Sequence, residues 1–438
     1  MIGLVGATLA RAIQDFVRNG TRHDDSISLS GVTRTFQGGM RRAADPLLPS
    51  PRVRRLVALA IVVCAPGCDR LLGISDPMPA DRRDGGRDDG PTIDSSPPCV
   101  TPAIFDAEQS FAIGGIGTAL AVGQLDRMVG RDVAVAVGDG VQILSGNGTG
   151  SFSLGMKIPA PMSTEVEGLV IDDFDADADD DLVVWDDGGS AIAAIRQDSS
   201  TVPSTYLAPQ PLTGPFGGLT GALAGQLDGQ LVPDLLVKDA LAARPFTSKL
   251  GTPIAFTREP DAIAGLDAED RLVAVGQLDG QGGEDAAFVG AGGEVRIASG
   301  APNFTAAAVV ATGARDRLVG FGKLDEDADV DLIVGTSAGG VIYRGGGGTF
   351  TQVPGTLAAV SGPDMLVIDV NGDGKDDLVL AGRIVYQCAP TAAGGPGVFT
   401  QFEPIDASGP ALMVDVTADG KPDLVRIDGT ELKVRVQR

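Results

Sequence analysis

The chain repeats one motif seven times: a short loop ends in an aspartate, and an apolar run follows at once. The seven closing aspartates lie 46 to 53 residues apart. They are Asp132, Asp181, Asp234, Asp285, Asp331, Asp377 and Asp423. Short apolar runs and glycine-rich turns at a period of about 40 to 50 residues are typical of β-propeller blades. The sequence therefore predicts an all-β fold, a seven-bladed β-propeller.

Each repeat contains four apolar segments. One precedes the loop and one follows it, and a third follows a glycine-rich turn, as in DGVQIL and GGVIYR. The fourth carries an aromatic residue and is marked by Phe152, Tyr206, Phe256, Phe304, Phe350 and Phe399. This order predicts four-stranded blades.

The two ends of the repeat array predict how the ring closes. The sequence ends after the third strand of the seventh repeat, and an extra segment containing Phe105 stands in fourth-strand register before the first repeat. Pairing these segments would remove two open sheet edges. We therefore expect residues 104–112 to lie against residues 430–437 and to complete the last blade.

Composition limits the classes of function. The net charge of -24 disfavours nucleic acid, which requires a basic face. His23, the one histidine, lies in the N-terminal segment, so a processed chain would lack histidine-dependent nucleophiles, bases and zinc sites. Carboxylate chemistry, as in glycosidases, remains open as an enzymatic alternative.

The first hundred residues differ from the repeats. Residues 1–39 are expected to be a non-native upstream extension or disordered, and residues 40–67 read as an export signal with an arginine-rich start and a short apolar core. The signal resembles that of a bacterial lipoprotein cleaved before Cys68, with plain secretion as the alternative. Residues 68–100, rich in Asp, Arg, Pro and Gly, are expected to form a disordered tether, and residues 101–438 the propeller.

The remaining cysteines lie within reach of the propeller. Cys64 would leave with the signal and Cys68 would carry lipid, which leaves Cys99 and Cys388 in an oxidising compartment. Cys99 precedes the closing strand of blade 7, and Cys388 follows the third strand of blade 6. A disulfide is predicted between them, with two separate thiols as the alternative.

The loop DVNGDGKDD of the sixth repeat has the donor pattern of a calcium site. Asp369, Asn371, Asp373 and Asp377 stand at positions 1, 3, 5 and 9, and the carbonyl of Lys375 is available at position 7. Ca²⁺ takes six to eight hard oxygen ligands in loose geometry. A strand follows the loop, and position 12 is leucine, so an EF-hand is disfavoured.

Other repeats preserve this pattern to different degrees. Two more complete sets are predicted, and they are Asp173, Asp175, Asp177, Asp179 and Asp181 in repeat 2, and Asp415, Thr417, Asp419, Lys421 and Asp423 in repeat 7. Repeat 5 begins with Lys323, which cannot ligate, and leaves binding through a shifted register open. Its candidates are Asp325, Asp327, Asp329 and Asp331. In repeats 1, 3 and 4 the aspartates are expected to cap turns instead.

The repeated pattern of apolar strand, D-x-[DN]-x-D-G-x-x-D-L and strand resembles the FG-GAP or VCBS repeats of integrin α-subunits and bacterial surface proteins. The resemblance covers residues 101–438 and is strongest at 173–185, 369–380 and 415–427. It implies calcium in the loops and a role in binding or adhesion.

The sequence therefore predicts a non-enzymatic, calcium-binding envelope lipoprotein. It would be monomeric, lipid-anchored and periplasmic or surface-facing, and it would bind a protein or glycan ligand. The alternatives are a propeller enzyme acting on polysaccharide by carboxylate chemistry and a purely structural envelope lipoprotein.

Overall fold

The structure is a computed structural model that describes residues 102–438 except 163–164, 187–190, 199–204, 231, 250–253, 281–282, 316–317, 326, 328, 355–356, 358–359, 361–364, 381, 389–397 and 407–408. The extension, signal, tether, Cys68 and Cys99 lie outside the described residues. Within the described part there is no helix with the length and apolarity needed to cross a membrane.

Seven four-stranded antiparallel sheets follow one another along the chain, as the repeat predicted. The first strands of the blades are β2 (Gly117–Gly123), β6 (Gly168–Asp172), β12 (Leu219–Gly225), β16 (Arg271–Gly276), β20 (Val319–Gly322), β24 (Met365–Ile368) and β28 (Ala411–Val414). The second strands are β3 (Asp132–Val137), β7 (Asp181–Trp185), β13 (Asp234–Asp239), β17 (Asp285–Val289), β21 (Asp331–Thr336), β25 (Asp377–Leu380) and β29 (Asp423–Asp428). Each second strand begins at its closing aspartate.

The outer half of each blade is less regular. The third strands are β4 (Gly140–Gly146), β8 (Ile192–Ile195), β14 (Ala243–Ser248), β18 (Val295–Ala298), β22 (Gly339–Gly346), β26 (Arg383–Cys388) and β30 (Glu431–Arg435). The fourth strands are β5 (Phe152–Pro159), β11 (Gln210–Pro211), β15 (Phe256–Arg258), β19 (Ala308–Ala311), β23 (Thr349–Gln352), β27 (Val398–Pro404) and β1 (Gln109–Ala112). A short hairpin, β9 (Gln197–Asp198) with β10 (Thr205–Tyr206), extends blade 2.

Two aromatic markers do not lie in the fourth strand of their blade. Tyr206 lies in the short hairpin, and Phe304 precedes β19. Prolines stand close to both residues, at Pro209 and Pro302, and a proline has no N–H to donate to a sheet ladder. The expected strand therefore forms a few residues later in these blades.

The second strands are buried on both faces. All six residues of β3, DVAVAV, are buried, because neighbouring blades cover the two sides of each sheet. This arrangement explains why these segments read as continuous apolar runs rather than as an alternation of apolar and polar residues.

The ring is closed by both ends of the propeller. β1 pairs antiparallel with β30, with Gln109 opposite Val434 and Phe111 opposite Leu432, and Phe105 forms a further bridge to Gln437. β2 of blade 1 then contacts β28 and β29 of blade 7. The predicted strand exchange is confirmed.

Candidate metal loops at one end of the ring

The seven loops between first and second strands lie at one end of the ring, because every blade runs in the same direction. We number their positions so that position 9 is the closing aspartate. All seven closing aspartates are buried, with at most 1% of the residue exposed. They are therefore part of the interior of the fold.

Both oxygens of each closing aspartate accept backbone N–H groups. In blade 1, Asp132 Oδ2 accepts from Leu125 at 2.7 Å, and Oδ1 accepts from Gly146 at the end of the third strand at 2.8 Å. The same two contacts recur in the other six blades, at 2.6 to 3.2 Å. Each closing aspartate thus ties its loop to its third strand.

Burial changes the acidity of these carboxyls. It raises the pKa of Asp132 and Asp331 to about 6, of Asp377 to about 7 and of Asp181 to about 8, and the backbone N–H donors act in the opposite direction. Strongly shifted carboxyls are found in active sites, but they also occur in buried structural networks. Here each carboxyl is enclosed and committed to two backbone donors, which indicates the structural role.

The loops of blades 2, 6 and 7 share one backbone conformation. In blade 6, Asp369 accepts the N–H groups of Asp373 at 3.1 Å and Gly374 at 2.7 Å, which are positions 5 and 6. Asp173 and Asp415 accept from positions 5 and 6 of their own loops in the same way, at 2.8 to 3.2 Å. The aspartate at position 1 therefore holds the loop in a tight turn.

Positions 4 and 6 of these three loops have positive φ. Glycine takes this conformation easily, as at Gly372, Gly374 and Gly420, with φ of 74°, 84° and 84°. Alanine occupies the equivalent places at Ala176, Ala178 and Ala418, with φ of 60°, 68° and 62°. A left-handed alanine is unfavourable by about 1 kcal/mol or more, so these three are held by the loop.

The oxygens of the loops in blades 6 and 7 suit a hard cation. Asn371 Oδ1 and Asp373 Oδ1 each accept the N–H group two residues further on, and Asp419 does the same in blade 7. Lys375 Nζ stands 3.9 Å from Asp373 Oδ2. Burial alone would raise the pKa of Asp415, but backbone N–H donors, Gly420 foremost, together lower it. Position 1 of blade 7 thus favours the carboxylate form that a cation needs, whereas burial raises the pKa of the closing Asp423.

Carboxylate oxygens come within 4.8 Å of one another in two other loops. One group is Asp173, Asp175 and Asp177 of blade 2, and the other is Asp325, Asp327 and Asp331 of blade 5. An arginine contacts each group. Arg196 binds Asp175 and Asp177, and Arg344 binds Asp325.

Asp179 of blade 2 and Asp327 of blade 5 also have protein partners. Asp179 accepts hydrogen bonds from Nε and Nη2 of Arg127 in blade 1, at 2.5 and 2.7 Å. In blade 5, Asp327 Oδ1 accepts the N–H of Asp329 at 3.0 Å. The sequence had no signal for these contacts, because Arg196 and Arg344 lie outside the loops in the chain and Arg127 belongs to the loop of a different blade.

Loops of blades 1, 3 and 4 behave as capped turns. Asp126 accepts the N–H of Met128, Asp228 that of Gln230, and the closing aspartates bind as described. These contacts are the turn contacts expected from the sequence.

Cys388 is disulfide-bonded. Because Cys99 lies outside the described residues, its pairing with Cys388 stays a prediction.

Comparisons with known proteins define the class by its fold. No protein-family model matches the chain, and no curated protein matches it. Among solved structures, the BP39L lectin of Burkholderia pseudomallei is similar over 74% of this chain and 96% of its own, at 14% identity and a TM-score of 0.55. A lectin of Agrocybe aegerita that recognises non-reducing terminal N-acetylglucosamine matches over 67% and 81%, at 17% identity and a TM-score of 0.50.

The chain is thus a seven-bladed β-propeller. At these identities the likeness concerns the fold alone, and membership of the FG-GAP or VCBS family stays a prediction.

Proposed function

We propose that this protein is a non-enzymatic binding module whose propeller is stabilised by Ca²⁺ and presents a ligand-binding end to a protein or glycan. The observation that carries the calcium proposal is the shared loop conformation of blades 6 and 7. There the position-1 carboxylate is fixed by the N–H groups of positions 5 and 6, and hard oxygens follow at positions 3 and 5. Such an array is suited to Ca²⁺.

The state of the acidic groups supports a binding role over an enzymatic one. Hydrolysis by carboxylates needs two acids that face a substrate. The acids with the largest pKa shifts, among them Asp181 and Asp377, are instead enclosed and bound by backbone N–H groups. The two lectins of similar fold make a glycan a reasonable ligand class, while the low aromatic content favours a protein over a stacked sugar.

Calcium binding is tested by thermal unfolding of the purified protein. We expect excess Ca²⁺ to raise the melting temperature over that in EDTA, because an ion that binds only the folded state stabilises it. Mg²⁺ at the same concentration serves as the control, since it requires stricter octahedral geometry. An identical melting curve in EDTA and in Ca²⁺ would exclude the calcium role.

Ligand binding is tested separately, by a glycan array and by affinity capture of envelope proteins, each in Ca²⁺ and in EDTA. Saturable binding of one ligand supports the module. Turnover of a polysaccharide by the purified protein would support the enzymatic alternative instead.

The sequence also leads us to propose anchoring in a bacterial envelope through a lipid on Cys68. The apolar segment before this cysteine is too short to span a bilayer by itself. Incorporation of labelled fatty acid that is lost in Cys68→Ser is the expected result, and labelling that persists in the variant would refute it.

A further inference from the structure

The two loops with the most acidic residues are each contacted by an arginine in, or directly after, the third strand of their own blade. Blade 2 has DFDADADDD, and blade 5 has KLDEDADVD. In blade 2, Arg196 Nε lies 2.5 Å from Asp175 Oδ2, and Nη2 lies 2.6 Å from Asp177 Oδ2. In blade 5, Arg344 Nε lies 2.6 Å from Asp325 Oδ2. A guanidinium therefore contacts the position-3 carboxylate in both loops.

The two arginines occupy one structural position. Arg196 directly precedes Gln197, whose N–H binds the closing aspartate of blade 2, and Arg344 directly precedes Gly345, whose N–H binds that of blade 5. The equivalent residues of the other blades are Ser145, Thr247, Ser299, Tyr386 and Val436, none of which is cationic. The positive charge therefore occurs in the same two blades whose carboxylates are drawn within 4.8 Å of one another.

Burial makes these pairs different from ordinary surface ion pairs. The side chain of Asp175 is fully buried and that of Asp325 is 4% exposed, while the side chains of Arg196 and Arg344 are 16% and 36% exposed. Buried carboxylates are unfavourable without a counter-charge. Arginine supplies a permanent charge and a planar set of donors that can reach two carboxylates at once.

We propose that Arg196 and Arg344 are built-in counter-ions that take the place of Ca²⁺ in the loops of blades 2 and 5. The protein then binds two calcium ions, through blades 6 and 7. This inference rests on the proposed calcium binding of those two blades, and it replaces the sequence expectation of a calcium ion in blade 2.

The loop of blade 2 has the features of a cation site although Arg196 contacts its carboxylates. It has the same backbone conformation as the loops of blades 6 and 7, and Asp173 is fixed in the same way. Asp175 Oδ1 is buried and has no hydrogen-bond partner among the described residues. Removing the guanidinium should therefore open a site for Ca²⁺.

The first experiment counts bound Ca²⁺ by native mass spectrometry and equilibrium dialysis. We expect two ions in the wild type, three in Arg196→Gln and three in Arg344→Gln. Arg296→Gln is the matched control, because Arg296 binds Asp267 and Asp270 outside the loops, and it should keep two ions. Arg196→Lys, which retains a positive charge, should also keep two.

Arg344→Gln is included in case Arg196→Gln does not fold. Arg344 is the more exposed arginine, so its substitution should disturb folding less. A folded Arg344→Gln or Arg196→Gln that still binds only two ions would overturn the proposal. So would a wild type that binds a third ion which is lost in Asp177→Asn.

A second experiment separates this inference from the calcium proposal. In EDTA, a double-mutant cycle between Arg196→Gln and Asp177→Asn should show coupling, with the double variant no less stable than Arg196→Gln alone. Additive effects would reject the counter-ion role. A wild type that binds no Ca²⁺ but shows this coupling would reject the calcium proposal and leave the counter-ion in place.

Discussion

Asp180 Oδ2 accepts the backbone N–H of Gln124 at 2.6 Å, across the boundary between blades 2 and 1. The same contact joins Glu284 to Gln226 at 2.7 Å and Asp376 to Lys323 at 2.6 Å. In each case an acid at position 8 of an even-numbered blade binds position 1 of the preceding blade. Position 8 of the odd-numbered blades is Arg131, Pro233, Val330 or Pro422, so blades 1 to 6 are joined in pairs.

A glycine makes room for each of these contacts. At Gly225 an added Cβ would lie 2.5 Å from Val275 Cγ1 and closer still to Glu284 Oε2, whereas at Gly221 in the same strand its nearest neighbour would be 3.9 Å away. We expect Gly225→Ala to lower the free energy of unfolding by about 2 kcal/mol through overpacking. Gly221→Ala should change it by less than about 1 kcal/mol. Urea denaturation measures both, and equal effects would contradict the steric account.

The closing aspartate should be essential even in a blade without metal. Asp234 in blade 3 accepts the backbone N–H groups of Leu227, Asp228 and Ser248, and Asp234→Asn replaces one accepting oxygen by an amide N–H₂ that faces a donor, so we expect a loss of about 2 to 3 kcal/mol. The loss should be the same in Ca²⁺ and in EDTA. The control is Asp228→Asn, which retains the acceptor for Gln230 and should be nearly neutral. A loss seen only in Ca²⁺ would assign Asp234 to a metal site instead.

Alanine in a left-handed conformation offers a stabilising substitution. Ala418→Gly relieves a φ of 62° at the place where blade 6 has Gly372. We expect a gain of about 1 kcal/mol. Ala136→Gly is a contrasting control. Ala136 is buried in the middle of β3, so the same change there should destabilise the protein. A melting temperature lowered by Ala418→Gly would show that the loop is not strained.

Asp373 is a predicted calcium ligand and Asp228 is a turn cap, so substituting each should affect Ca²⁺ affinity differently. We expect Asp373→Asn to weaken Ca²⁺ binding by at least about tenfold, or about 1.4 kcal/mol, because it removes one charge from the oxygen set of blade 6. Asp228→Asn should leave calcium affinity unchanged. Isothermal titration calorimetry gives both constants, and unchanged binding in Asp373→Asn would place the ion elsewhere.

Stability without calcium should fall as the pH rises. The pKa values of Asp132 and Asp331 near 6, Asp377 near 7 and Asp181 near 8 exceed their ordinary value of 3.8. Their contribution to stability is fully present below about pH 4, and it is lost as the pH rises through 6 to 8. Melting temperatures of calcium-free protein from pH 5 to 8 test this. A rise over that range would mean that the N–H donors outweigh burial.

The sequence predicted the blades well because their landmarks are local. A closing aspartate and the apolar run after it mark a loop and a buried strand, and the spacing of Asp369, Asn371 and Asp373 marks a turn within nine residues. Arg196 was not predictable in this way. Its relation to Asp175 depends on the third strand returning beside the loop, and one arginine after an apolar run is an ordinary surface residue by sequence alone.

The contact between the position-8 acid of one blade and position 1 of the preceding blade was not predicted, for a similar reason. Asp180 stands among six acids of one loop, and only the neighbouring blade distinguishes it from the others. A sequence signal does exist, in the pairing of a glycine before position 1 with an acid at position 8 of the next repeat. Gly123 with Asp180 and Gly225 with Glu284 follow this rule.

Blade 7 contains strands from both ends of the propeller, so it can form only after all the other blades have been synthesised. Glu108 and Arg426, which bind each other beside the closing strands, are 318 residues apart in the chain. A ribosome therefore releases β1 long before its partner β30 exists, and that early strand must wait unpaired while six blades form. The ring can become complete only after β30 of blade 7 has been synthesised, so a chain interrupted within blade 7 would retain an open sheet edge.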